Sequence, residues 1–122
     1  MITIISDGCK WGMLPAATRS VDVRRFKNPY HDKKLRSLCG LDSAVRMEVL
    51  AAPGARAHML RVACSLKDGA TVVIYCTAGH HRSVAFAEAL VTALRAAGKS
   101  AQVIHKHLAV CKCSHLQEHL LS

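Results

Sequence analysis

The stretch Ala70–Cys76, ATVVIYC, is apolar at consecutive rather than alternate positions. A strand covered on one face only alternates apolar with polar, so an unbroken short apolar run predicts a strand buried on both faces. A small, basic loop, TAGHHR, follows, and then a helical pattern from about Ser83 to Ala97 that Gly98 stops. A doubly covered strand feeding directly into a helix is half of a βαβ unit, and such units build parallel sheets.

The flanking sequence repeats the theme. Residues 2–6 (ITIIS), 20–24 (SVDVR) and 100–107 read as further strands. The segment DGCKWGMLPAAT carries Gly8, Gly12 and Pro15 and reads as loop. Residues 25–41 are irregular and basic, with a turn at Asn28-Pro29. Asp42 or Ser43 can cap a helix that runs to about Ala52, where Pro53-Gly54 breaks it. A second helix is predicted over 55–67, ended by Asp68-Gly69, and a short helical tail is expected over 108–122. The 122 residues suit one domain, 1–122, with no linker or repeat. The expected fold is a three-layer α/β sandwich with a small, largely parallel sheet. Only 4% of residues are aromatic, so the core must be mostly Val, Leu, Ile and Ala. Trp11 and Met13 are expected in that core or in a pocket wall.

No run is long and apolar enough for a bilayer, and the N-terminus has no secretory pattern. The six cysteines show no disulfide spacing. A cytoplasmic chain with reduced thiols, no membrane association and no cofactor is expected. The net charge of +9 suits an anionic partner such as a phosphorylated ligand or polyanion, although a solvated basic surface has the same charge.

In open α/β sheets ligands bind at the carboxyl ends of the strands. The loop Cys76, Thr77, Ala78, Gly79, His80, His81, Arg82, Ser83 lies at such an end and has what a phosphate requires. Backbone amides and a helix N-terminus supply donors. Gly79 frees the backbone, and Arg82 offers a permanently charged fork. Hydrogen bonds to a charged group contribute about 1.5–3 kcal/mol each, against roughly 0.3–2 for the helix terminus, so amides and arginine should dominate. Replacing Arg82 by Ala is expected to abolish binding while sparing the fold. Cys76 and Arg82 also match the C-x5-R-[ST] spacing of cysteine-dependent phosphatases, in which Cys76 would be a reactive nucleophile and Ser83 would steady its thiolate. A phosphatase also needs an acid for the leaving oxygen. Asp22, Asp32 and Asp42 are candidates, but none lies in a recognisable acid loop, which favours binding over catalysis and leaves catalysis as the alternative. A buried structural cysteine is the plain third reading.

CTAGHHRSV, VDVRRFKNPYHD, LRSLCGLDSAV and GKSAQVIHKHL, in this order, resemble segments of the C-terminal domain of the RNase adapter RapZ family. The resemblance covers about residues 8–108. It implies a phosphofructokinase-like domain that senses glucosamine-6-phosphate and binds small RNA and a ribonuclease. By the same resemblance the ligand pocket would add Asp22, Arg24, Asn28, Tyr30 and Asp42. A homo-oligomer is expected. Tyr30 stands where the family has a ligand-lining histidine, Ala78 replaces a glycine, and His80 replaces lysine or glutamine. These departures leave an amino-sugar phosphate and a nucleotide both open as ligand. No Walker-type loop is present.

If RNA binds, Arg25, Lys27, Lys33, Lys34, Arg36 and Lys106 are the expected contacts, and binding should weaken with salt. Aromatics are sparse there, so base stacking has little support. His105, His107, Cys111, Cys113, His115 and His119 crowd the C-terminus in no standard zinc spacing, and they are read as an ordinary polar tail with no metal.

Overall fold

The computed structural model describes residues 1–26, 28, 33–35 and 38–108. The predicted Lys27, Tyr30, Asp32 and Arg36, and the tail from 109 onward with Cys111, Cys113, His115 and His119, lie outside the described residues.

Among the described residues, four strands form one sheet: β1 (Ile2–Gly8), β2 (Arg19–Asp22), β3 (Thr71–Cys76) and β4 (Ala101–His105). Their order is β2-β3-β1-β4, and every pairing is parallel. Three α-helices among the described residues flank the sheet: α1 (Ser43–Leu50), α2 (Ala55–Ser65) and α3 (Arg82–Ala96). The architecture is α/β, consistent with the expected three-layer sandwich. Sequence and structure differ by a residue or two at most boundaries: β1 begins where expected but runs on to Gly8, and β4 is shorter at both ends.

Register explains much of the site. Gly8 lies opposite Cys76 in the β1–β3 ladder, and Asp22 lies opposite Tyr75 in the β2–β3 ladder. The carboxyl ends of β1, β2 and β3 therefore open at one level. The α1 helix starts where Asp42 accepts a hydrogen bond from the Ala44 amide at 2.9 Å. The α3 helix is central. Phe86, Leu90 and Leu94 are buried against Ile2, Ile4, Val72 and Ile74 of the sheet, while Ala85 meets Val45 and Val49 of α1. Each such large side chain contributes about 1.5–3 kcal/mol on burial. Because both sides of α3 are packed, its N-terminus is held firmly at the end of β3. A buried chain of Ser6, His105 and Glu88 ties β1, β4 and α3 together, with Ser6 Oγ 2.6 Å from His105 Nδ1 and His105 Nε2 2.9 Å from Glu88 Oε1. Ser6 has no exposed surface, so this serine–histidine–carboxylate arrangement is inaccessible to a substrate. Among the described residues no helix is long and apolar enough to cross a membrane.

Candidate functional site

The loop after β3 is pinned from three directions. The Lys10 amide donates to the Thr77 carbonyl at 3.1 Å, and the Gly40 amide donates to the His80 carbonyl at 2.7 Å. The Trp11 indole Nε1 donates to the Ala78 carbonyl at 2.7 Å. In a trans peptide the N–H points opposite to the C=O. Drawing these carbonyls outward turns the amides of Ala78, Gly79 and His81 inward, the arrangement in which successive amides can hold an anion. Gly79 adopts φ +80°, and a side chain there would press on the backbone of Asp7 and Gly8. That close approach binds the loop to the end of β1.

The inward direction is visible at Cys76. The amides of Gly79 and Ser83 donate to its Sγ at 3.3 and 3.4 Å, and Ser83 Oγ lies 3.2 Å away. Cys76 and Ser83 are buried. Above them is a cavity of about 350 Å³, lined by Lys10, Asn28, Cys76, Thr77, Ala78, His80, His81 and Arg82. This is enough for a ligand at the small end of the usual range.

Arg82, the first residue of α3, is only 7% exposed. Its Nη1 donates to the carbonyls of Arg24 and Phe26, and its Nη2 lies 3.4 Å from Thr77 Oγ1. Its Nε is buried with no hydrogen-bond partner among the described residues. Arg82 thus clamps the chain after β2 to the loop as well as facing the cavity, so removing it is expected to cost stability in addition to a ligand contact.

The structure gathers some of the residues read from sequence and separates others. Asn28 joins the loop in lining the cavity. Asp22 and Arg24 form an exposed ion pair at the end of β2, with Nη2 to Oδ2 at 2.7 Å, and Arg24 lies over the Tyr75 ring. Arg24 holds the Asp22 carboxyl below its usual range despite partial burial, and Asp22 in turn raises Arg24. Asp42 is the cap of α1. Arg25, Lys33, Lys34 and Lys106 are exposed. Trp11 and Met13 are not core residues. Trp11 is 49% and Met13 96% exposed, because the turn Cys9–Trp11 lies on the surface beyond β1.

Lys10, which lines the cavity, and Asp7 and His107 beside it were not legible as site residues. Asp7 ends β1 in the interior, 2% exposed. It accepts from the Gly8 amide at 2.7 Å, from Lys106 Nζ at 3.1 Å, and lies in hydrogen-bond contact with His107 Nε2. Burial alone would raise its pKa, but those contacts outweigh burial and hold it below the usual value. The His107 ring stacks on Trp11, with centroids 5.6 Å apart. The available signal was position alone, since the residues after β1 adjoin those after β3 in any such sheet. His80 is pushed down, first by burial and then by the charges of His81, Lys10 and His107. Among the described residues no group of His, Cys, Asp and Glu could hold a metal ion.

Comparison with known proteins places this geometry among relatives. The profile of the RapZ C-terminal domain matches residues 1–109. A nucleotide-binding protein of Frankia alni is 37% identical over 117 residues, covering 87% of this chain and 40% of that protein. One from Mycobacterium leprae is 40% identical over 119 residues, with 88% and 40% covered. Another from Streptomyces coelicolor is 36% identical over 117 residues, with 87% and 39% covered. The chain thus spans about 40% of the length of the Frankia and leprosy relatives it matches.

Proposed function

This chain belongs to the RapZ C-terminal domain family, and on that premise we propose that it binds a phosphorylated small molecule in the loop Cys76–Ser83. The observation that carries the reading is the set of outward-tied carbonyls, which turns the loop's amides toward a cavity lined by Lys10 and Arg82. The amides and Arg82 Nε would hold phosphate oxygens, and Lys10 would add charge from the rim. Thr77 and the two histidines offer further polar contacts. Asn28 shapes the far wall. The names of the relatives agree with a phosphorylated ligand, which for this chain covers both a nucleotide and an amino-sugar phosphate such as glucosamine-6-phosphate. A regulatory role involving RNA or a ribonuclease is the further step that the family suggests.

Calorimetry with a panel of sugar phosphates and nucleotides tests the reading, using wild type, Lys10→Gln and Arg82→Lys. Lys10 is exposed, so its variant keeps the fold. Loss of one charge-assisted contact predicts about a ten-fold weaker affinity. Unchanged affinity in both variants would move the site elsewhere.

A second reading, a cysteine-dependent phosphatase, is favoured by the contacts that converge on Cys76 Sγ. Two features count against it. Arg82 spends Nη1 on backbone carbonyls instead of presenting both arms to a phosphate. Of the acid candidates, Asp22 is paired with Arg24 and Asp42 caps a helix. Hydrolysis of an aryl phosphate, and of an alkyl phosphate too, by wild type but not by Cys76→Ser would establish this reading instead.

A further inference from the structure

We propose that Trp11 is a stacking platform for a planar base on the ligand, which makes that ligand a nucleotide. The inference rests on the phosphate reading of the neighbouring cavity.

The tryptophan is held as if for use outside the core. Its indole N–H is tied to the Ala78 carbonyl at 2.7 Å. The His107 ring lies against it at an interplanar angle of 28°. His107 is itself held by the buried Asp7. These contacts fix the ring's orientation, yet 49% of the residue stays open to solvent. A tryptophan that served packing alone would gain most from full burial. This one gives up that gain at the surface while its position is determined by a carbonyl, a histidine and a carboxylate.

The ring lies beside the phosphate cavity without lining it. Lys10 lines the cavity, and its Nζ lies 4.5 Å from the Trp11 ring centroid. A ligand with phosphate in the loop and a flat π-system reaching past Lys10 would meet both surfaces at once. Lys10, a flexible cation, can leave the ring for a phosphate oxygen as the base arrives. A sugar phosphate offers the indole only an aliphatic C–H face, whereas a base offers a full π-face. Stacking is tolerant of base identity, because every base has a π-face. The inference therefore names the class, nucleoside phosphates, and no particular base.

Trp11 is the chain's one tryptophan, so its fluorescence reports on this position alone. The experiment titrates the full chain with AMP, GMP, CMP, UMP and ribose 5-phosphate, followed by fluorescence and by calorimetry. Trp11→Ala and Trp11→Phe are compared, with circular dichroism confirming their folds. Base–aromatic stacking predicts that nucleoside monophosphates bind about ten-fold or more tightly than ribose 5-phosphate and change the Trp11 emission. Trp11→Ala should fall to the ribose 5-phosphate level, and Trp11→Phe should retain most of the advantage. Equal binding of nucleotides and ribose 5-phosphate, indifferent to Trp11→Ala, overturns the stacking inference and leaves the phosphate site standing. Binding of no phosphorylated compound overturns the phosphate reading and this inference with it. If Trp11→Ala unfolds, Trp11→Phe and the wild-type ratio of nucleotide to ribose 5-phosphate affinity decide alone.

Discussion

Arg82 joins the two sides of the site. One guanidinium nitrogen reaches the carbonyls of Arg24 and Phe26, and another reaches Thr77. Arg82→Ala leaves those carbonyls without their donor, and an orphaned buried acceptor costs about 1–3 kcal/mol. The variant should therefore lose stability as well as ligand, read as a lower denaturant midpoint. An unchanged midpoint would show that the clamp contributes nothing. Cys76 allows a cleaner separation of roles. Cys76→Ser keeps the loop amides, Gly79 and Arg82, so it should bind phosphorylated ligand as wild type does, with calorimetry as the check. A collapse of affinity would assign the sulfur a direct part in binding.

At the scale of elements, the unit from β3 through the loop to α3 was legible because each part has its own signature. A continuous apolar run, a glycine in a small basic loop and a helical repeat each need only local sequence. The end of β1 was not legible. Asp7 and Gly8 look like loop residues, but the ladder against Tyr75 and Cys76 carries the strand through them. A buried aspartate is admissible there only because Lys106 and His107 arrive from the far end of the chain. Long-range partners of that kind leave no local pattern. Gly40 is a comparable case. In sequence it is one residue of a turn, whereas in the fold a Cβ there would lie 2.4 Å from the Ala85 amide nitrogen and 2.6 Å from the His81 carbonyl oxygen. Backbone atoms at the start of α3 cannot yield as a side chain could. Gly40→Ala should thus cost about 1–3 kcal/mol, typical of overpacking, and weaken ligand binding by displacing the loop. Thermal unfolding together with calorimetry would measure both, and a stable variant with full affinity would contradict the packing account.

Across the whole molecule, pH and charge set the response to conditions. His58 is pushed below its usual 6.5 by burial and by Arg25, Arg61 and Arg19, and His80 is pushed the same way. Both take up protons more readily unfolded than folded. Stability should therefore be full above about pH 6.5 and fall as pH drops from there toward the lowered folded values. Asp7 is also held low, so its contribution is present above the usual 3.8 and is lost only below it. Denaturant midpoints from pH 8 to pH 3 should decline in two stages, and a flat profile through the first would contradict the histidine assignment. The net charge of +9 belongs to the molecule and not to the loop, so any affinity for RNA should drop steeply with added salt while phosphate-loop binding changes less.

The most direct test of the central claim is an amide-resolved NMR titration of the full chain with ribose 5-phosphate and AMP, and with ribose and adenosine as unphosphorylated controls. The account predicts that the largest shifts fall on Thr77 to Ser83 and on Lys10, and only with the phosphorylated compounds. Shifts that cluster elsewhere, or that appear equally with the unphosphorylated controls, would contradict it.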